Sequence, residues 1–211
     1  MKKKLIIVLS SVLTIAAIGG SFAWFTAKDS ITNHFTTSNK SDGVKVEENK
    51  EWKDPDGDKI YENEEAKNIT PGTEVNKDVW AKNISEYDSF IRARLVPKFT
   101  KVKFIKLEDA DNSLLELTYA NITTTDKLEE NKWVDGGDGY FYYLGKVQKE
   151  GTTEKLLDAV TLSGNASNDY KNSEFDVIVE AEGVQATNGA AASNWQTANK
   201  DVLSKLTSLE S

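Results

Sequence analysis

The sequence contains no cysteine, and its 211 residues include a single histidine, His34. Without thiols there is no disulfide framework and no thiol nucleophile. With one imidazole there is no His-Glu-x-x-His motif and no second imidazole to complete a zinc site. A Gly-x-Ser-x-Gly nucleophile elbow and a phosphate-binding loop are missing as well. Carboxylates are plentiful, but no pair stands out from that background, so no catalytic residue is assigned and no enzyme is expected. Glycine (13) and proline (3) are too scarce for a collagen-like or low-complexity chain, which leaves a globular body. An excess of positive charge is lacking too: the formal net charge is -8. That argues against nucleic acid and anionic membranes as partners, since both are bound through Lys and Arg.

What is present begins at the N-terminus. Lys2, Lys3 and Lys4 precede a mostly apolar run from Leu5 to Ile18, broken by Gly19-Gly20-Ser21-Phe22-Ala23. Small residues at Ser21 and Ala23 set up a cut between Ala23 and Trp24, so residues 1–23 read as a secretory signal peptide. The run is shorter than the roughly 20 residues of a membrane-spanning helix. Contact with the membrane is therefore expected only through this peptide before cleavage, and the mature chain is expected outside the cell. Loss of the three lysines takes the net charge from -8 to -11.

The mature start is unusually apolar. From Trp24 onward, Phe25, Ala27, Ile31 and Phe35 fall on one face at period two, with Asp29 and Asn33 interrupting it. An arm of this kind, residues 24–37, must bury its face somewhere. It is either the first strand of its own sheet, which composition favours, or a strand donated to a neighbouring copy, held by main-chain hydrogen bonds and side-chain pockets.

Farther along, alternation marks strands. Val75, Lys77, Val79 and Ala81 share one face of a strand after the Pro71-Gly72 turn, opposed to Asp78, Trp80 and Lys82. A second strand runs from Tyr87 to Pro97 at a hairpin-scale distance, with a further candidate over Lys98 to Leu107. Trp133-Val134 and Tyr140 to Leu144 flank the glycine-rich turn Asp135-Gly136-Gly137-Asp138-Gly139, a hairpin whose aromatic strand is covered on both faces or at an interface. The strongest strand is Glu174 to Ala186, with Phe175, Val177, Val179 and Ala181 inward and Asp176 and Glu182 toward edges or solvent. Residues 108–130 do not resolve by periodicity. Trp195, Val202, Leu203, Leu206 and Leu209 recur at helical spacing and predict a final amphipathic helix that packs in the presence of a partner.

One acidic stretch invites a metal. Asp54, Asp56 and Asp58 alternate as in a calcium loop and Glu65 stands at its twelfth position, but the sixth position is Lys59 and Gly57 falls at the fourth. A solvated turn is the preferred reading, with a calcium site as the alternative. No other cofactor is expected.

Gly19-Gly20-Ser21-Phe22-Ala23-Trp24-Phe25-Thr26, followed by Ile31 to Thr37, resembles the signal and mature start of the TasA and camelysin family of Gram-positive exported proteins. The likeness recurs in the Pro71-Gly72 turn and Val-rich strand, in Asn83 and Phe90-Ile91-Arg92, in Trp133, Asp138-Gly139-Tyr140 and Tyr142-Tyr143, and in Val184-Gln185-Ala186. The resemblance implies a dedicated signal peptidase, a jelly-roll topology and a subunit of biofilm matrix fibres. Camelysin-like proteins are also labelled metallopeptidases, but the residues for that activity are missing here.

These readings combine into one expectation. The fold is all-β, a two-sheet antiparallel sandwich of jelly-roll type with short helical insertions and a C-terminal helix. Residues 38–189 form the sandwich and 190–211 a helical tail. The function expected is a secreted fibre subunit that polymerises head-to-tail with itself, Trp24, Phe25, Ala27, Ile31 and Phe35 making the subunit contact, with minor fibre subunits as further partners. The alternative is a monomeric extracellular binding or adhesin module that uses the acidic loop.

Overall fold

Alternating apolar and polar residues build the long strands, and a computed structural model describes residues 26–33, 43–48 and 69–210, with backbone alone for 26–33 and Glu48. In chain order the strands are β1 (Thr26–Asn33), β2 (Val44–Glu48), β3 (Glu74–Asn83), β4 (Ser89–Lys101), β5 (Leu115–Tyr119), β6 (Ile122–Thr123), β7 (Trp133–Asp135), β8 (Phe141–Tyr143), β9 (Leu157–Leu162) and β10 (Glu174–Gln185). Two helices follow, α1 (Ala190–Asn194) and α2 (Lys200–Ser208).

The strands form two sheets, ordered β1-β10-β4-β8-β7-β6 and β2-β3-β9-β5. Pairing is antiparallel except between β6 and β7. Strands from the two ends of the chain pair first with each other, β1 with β10, then β3 with β9, then β4 with β8. This nested wrapping is that of a jelly roll. The core between the sheets holds Val46, Val79 and Ala81 from one and Ile91, Ala93, Val177, Val179 and Ala181 from the other. β3 carries the expected face, with Val75, Lys77, Val79 and Ala81 all buried.

The six-stranded sheet is covered on its second face as well. Phe90, Tyr142, Leu144 and Val184 pack there against Ala190, Trp195, Val202 and Leu206 of the C-terminal segment. Consecutive aromatics of β8 therefore divide between layers, Tyr143 in the sandwich core and Tyr142 under the helices.

Four details depart from the sequence reading. The tail is not one helix but two, with Trp195 between them, and it packs on its own chain. β3 and β4 do not form a hairpin, because they lie in different sheets. The Asn83 side chain turns the chain between them: its amide donates to the carbonyls of Tyr87 and Val147, and its carbonyl accepts from the Ser85 N–H and hydroxyl. β4 also runs through Pro97 to Lys101 as one strand, and Val102 to Lys106 is not a strand. Beyond Ala93 β4 has β10 on one side and no pairing with β8 on the other, so a missing N–H at Pro97 disturbs no second ladder.

The fourth concerns charge. Asp176 and Glu182 are each only 4% exposed, not directed to solvent. Burial pushes the Asp176 carboxyl up to about 7; the Lys98 charge opposes this and Glu174 reinforces it. The folded chain thus holds a proton that the unfolded chain releases near the ordinary aspartate value. The stability this contributes is full below about pH 4 and is lost as pH rises through about 7. Melting temperature is expected to fall between pH 5 and pH 8, by the equivalent of about 2–4 kcal/mol. Asp176→Asn should flatten that slope; an unchanged slope in thermal melts would rule this account out.

Candidate functional site: the N-terminal strand and the edge it fills

β1 forms the outer edge of the six-stranded sheet and is held by β10 along its whole length. The register runs from Thr26 opposite Val184 to Asn33 opposite Val177. Residues directly opposite in an antiparallel pair share a face. Ala27, Asp29, Ile31 and Asn33 therefore hold the positions opposite Gly183, Ala181, Val179 and Val177, the core side of β10. This is the period-two face read from the sequence, and it places Ala27 and Ile31 together on the sandwich side.

Close approach at one point helps define the groove. A Cβ at Gly183 would run into Cγ2 of Val44, so the glycine lets β2 lie over the end of β10 where β1 begins. Without β1, the main chain of β10 from Val177 to Val184 would be an unpaired edge, a template for any strand of matching pattern.

Behind the same stretch of β10 lies the most charged part of the interior. Glu182 stands opposite Arg92 on β4, and Arg92 opposite Tyr142 on β8. Arg92 donates to Glu182 Oε2 from Nε at 3.0 Å and from Nη2 at 2.7 Å. Its Nη1 donates to the Tyr142 hydroxyl at 2.9 Å and lies 3.7 Å from Asp138 Oδ2. Asp138 Oδ2 also accepts from Tyr142 at 2.8 Å and from Thr197, which follows α1, at 2.7 Å. The guanidinium stacks 3.9 Å from the Tyr140 ring centroid and 5.2 Å from that of Trp195. Burial opposes ionisation of Asp138, but hydrogen bonds from Thr197, Tyr142 and the Tyr140 N–H, with the Arg92 charge, outweigh it and hold the carboxyl below its usual value. Burial pushes the Tyr142 phenol strongly upward, so it stays a neutral donor.

This network ties β10, β4, the β7–β8 turn and the C-terminal cap into one block. Glu180 pairs with Arg94 one step along the same row, and the β1 residues opposite Glu182 and Glu180 are Lys28 and Ser30. Lys28 thus holds the register position opposite Glu182.

The other residues expected at functional sites fall outside this frame. Ala23, Trp24, Phe25, His34 and Phe35 lie outside the described residues, as do Asp54, Asp56, Asp58 and Glu65. Among the described residues no group of three or more His, Asp or Glu side chains stands together in a metal-holding arrangement. The sequence reading missed the Arg92 network; Phe90-Ile91-Arg92, opposite an acidic strand, was its only trace. No family model, curated protein or solved structure matches the chain.

Proposed function

We propose that this chain is a secreted structural subunit of an extracellular fibre of the biofilm-matrix type, joined head-to-tail by giving β1 to the β10 edge of the next copy. The observation that carries this reading is the position of β1. It is the N-terminal described strand, it sits at a sheet edge, and it is paired through the main chain with β10. A terminal edge strand is the element that exchanges between copies with least rearrangement of the remainder, and a head-to-tail exchange extends into a filament wherever its rotation does not close a ring. The resemblance to the TasA and camelysin family supports the same reading, with removal of the signal between Ala23 and Trp24 as the step that frees the arm.

Negative-stain electron microscopy of the chain Trp24 to Ser211, beside a chain starting after Thr37, tests it. Filaments from the first and separate particles from the second are expected. Separate particles from both would leave β1 as a strand of its own sheet and favour a monomeric binding module.

A further inference from the structure

We infer that the two ends of the sandwich are complementary docking surfaces for a second copy of this chain, Ile84 at one end seating against Phe104 and Leu107 at the opposite end of the next subunit. This rests on strand donation, and it follows from where the donated strand leaves its groove.

Strand directions define the ends. β1 starts opposite Val184 and stops opposite Val177, so the chain leaves the groove at the end where β4 finishes and β10 begins. β2 starts at Val44, paired with Asn83 and packed over Gly183, which is the other end. The connector, residues 34–43, must therefore join opposite ends of a sandwich. Within one chain the ends it joins lie about six residues of β10 apart, roughly 20 Å. Fully extended it reaches at most about 36 Å. The same connector serves a donated strand only if the start of β2 in the donor lies within that reach of the exit of the groove in the acceptor. The end of the donor that carries Asn83 and Ile84 is then turned toward the end of the acceptor that carries the segment after β4.

Exposed apolar side chains occur at both of these ends. Ile84, in the arch between β3 and β4, is 38% exposed, and Phe104 and Leu107, just after β4, are 55% and 46% exposed. The turn that carries Leu107 is held in place from behind, because Asn112 accepts from the Phe99 N–H and the Asp111 N–H donates to the Tyr170 hydroxyl. The surface is thus presented by an ordered element. Charge is mixed at both ends: Glu86 and Asp88 accompany Ile84, with Lys149 paired to Glu86, and Lys103 and Lys106 flank Phe104, with Glu108 and Asp109 after Leu107, so the apolar contact supplies the affinity. Tyr119 and Ile122 are also exposed, but they lie beside the β5 and β6 edges, away from the groove exit.

The absence of native cysteine makes the contact directly testable. Ile84→Cys and Leu107→Cys are introduced together in the chain from Trp24, and its polymers are treated with a short bis-maleimide. β4 separates the two positions by its 13 residues. That is about 40 Å, so no link forms within a subunit. A ladder of covalent multimers is expected from the double variant and at most dimers from either single variant. Phe104→Ser with Leu107→Ser should also raise the concentration needed for polymerisation about tenfold. Polymers from the double-cysteine variant without a ladder, or an unchanged polymerisation threshold in the serine variant, would overturn the docking surface and leave strand donation standing. Failure of the unaltered chain to polymerise would remove both.

Discussion

Arg92→Ala lowers the stability of the sandwich by about 3–5 kcal/mol. The magnitude comes from what stays behind. Glu182 is buried and Asp138 half-buried between the sheet and the C-terminal cap, and Arg92 is the cation common to them. Removing it leaves two carboxylates in a poorly solvated space and takes away the plane on which Tyr140 and Trp195 stack. For a chain of this size the melting temperature should drop by about 10 °C or more. Arg92→Lys keeps the charge but not the fork that meets Glu182 through two nitrogens, so an intermediate loss is expected. Arg92→Met together with Glu182→Leu should recover part of the stability, because that apolar pair needs no counter-charge while Asp138 keeps only its hydrogen bonds from Tyr142 and Thr197. If Arg92→Ala melts within a degree or two of the parent, the network contributes little and β10 is held by packing alone.

A chain lacking residues 24–37 should lose about 3 kcal/mol or more through exposure of the apolar row Val177, Val179 and Ala181, and should regain it from a peptide added in trans. A synthetic peptide of residues 24–37 binds only the folded body, so at one hundred times its dissociation constant it stabilises by about 2.7 kcal/mol. The complemented body should stay monomeric, because its own donor strand is missing. A peptide carrying Ile31→Pro is the control: it lacks one main-chain donor and should be far weaker. Calorimetric melts with both peptides decide the matter. No shift with the unaltered peptide at millimolar concentration would mean that the groove accepts β1 only as part of the same chain.

Much of this architecture was legible in the sequence where one side of an element faces a single environment. β3 and β10 read correctly on their inner faces because alternation there reports the sandwich core. The outer face of β10 misled for a physical reason. Acidic residues on a strand ordinarily mean solvent, but the cap bearing Trp195, Val202 and Leu206 lies over that face and Arg92 neutralises Glu182. Nothing local to Glu174–Gln185 announces a cover contributed by residues that come later in the chain. The split of the tail into α1 and α2 was hidden for a related reason. Apolar spacing places Trp195 on a helical face, whereas Asn199, whose side chain accepts from the Asp201 N–H, starts a new helix. Residues 108–130 were unreadable because β5 and β6 are short and belong to different sheets. At the candidate site the face formed by Ala27 and Ile31 was legible, but the sequence alone did not identify the strand that receives it.

The nested wrapping has a consequence in time. β1 and its partner are separated by nearly the whole sequence, Asn33 from Glu174. Such distant pairings form late and slowly. At about 5–20 residues per second of synthesis, the first strand precedes the last by roughly ten to thirty seconds. Throughout that interval β1 has no partner in its own chain. The β1–β10 ladder is therefore the last seam of the six-stranded sheet to close, whether its strand comes from the same chain or, on the reading proposed above, from a neighbour.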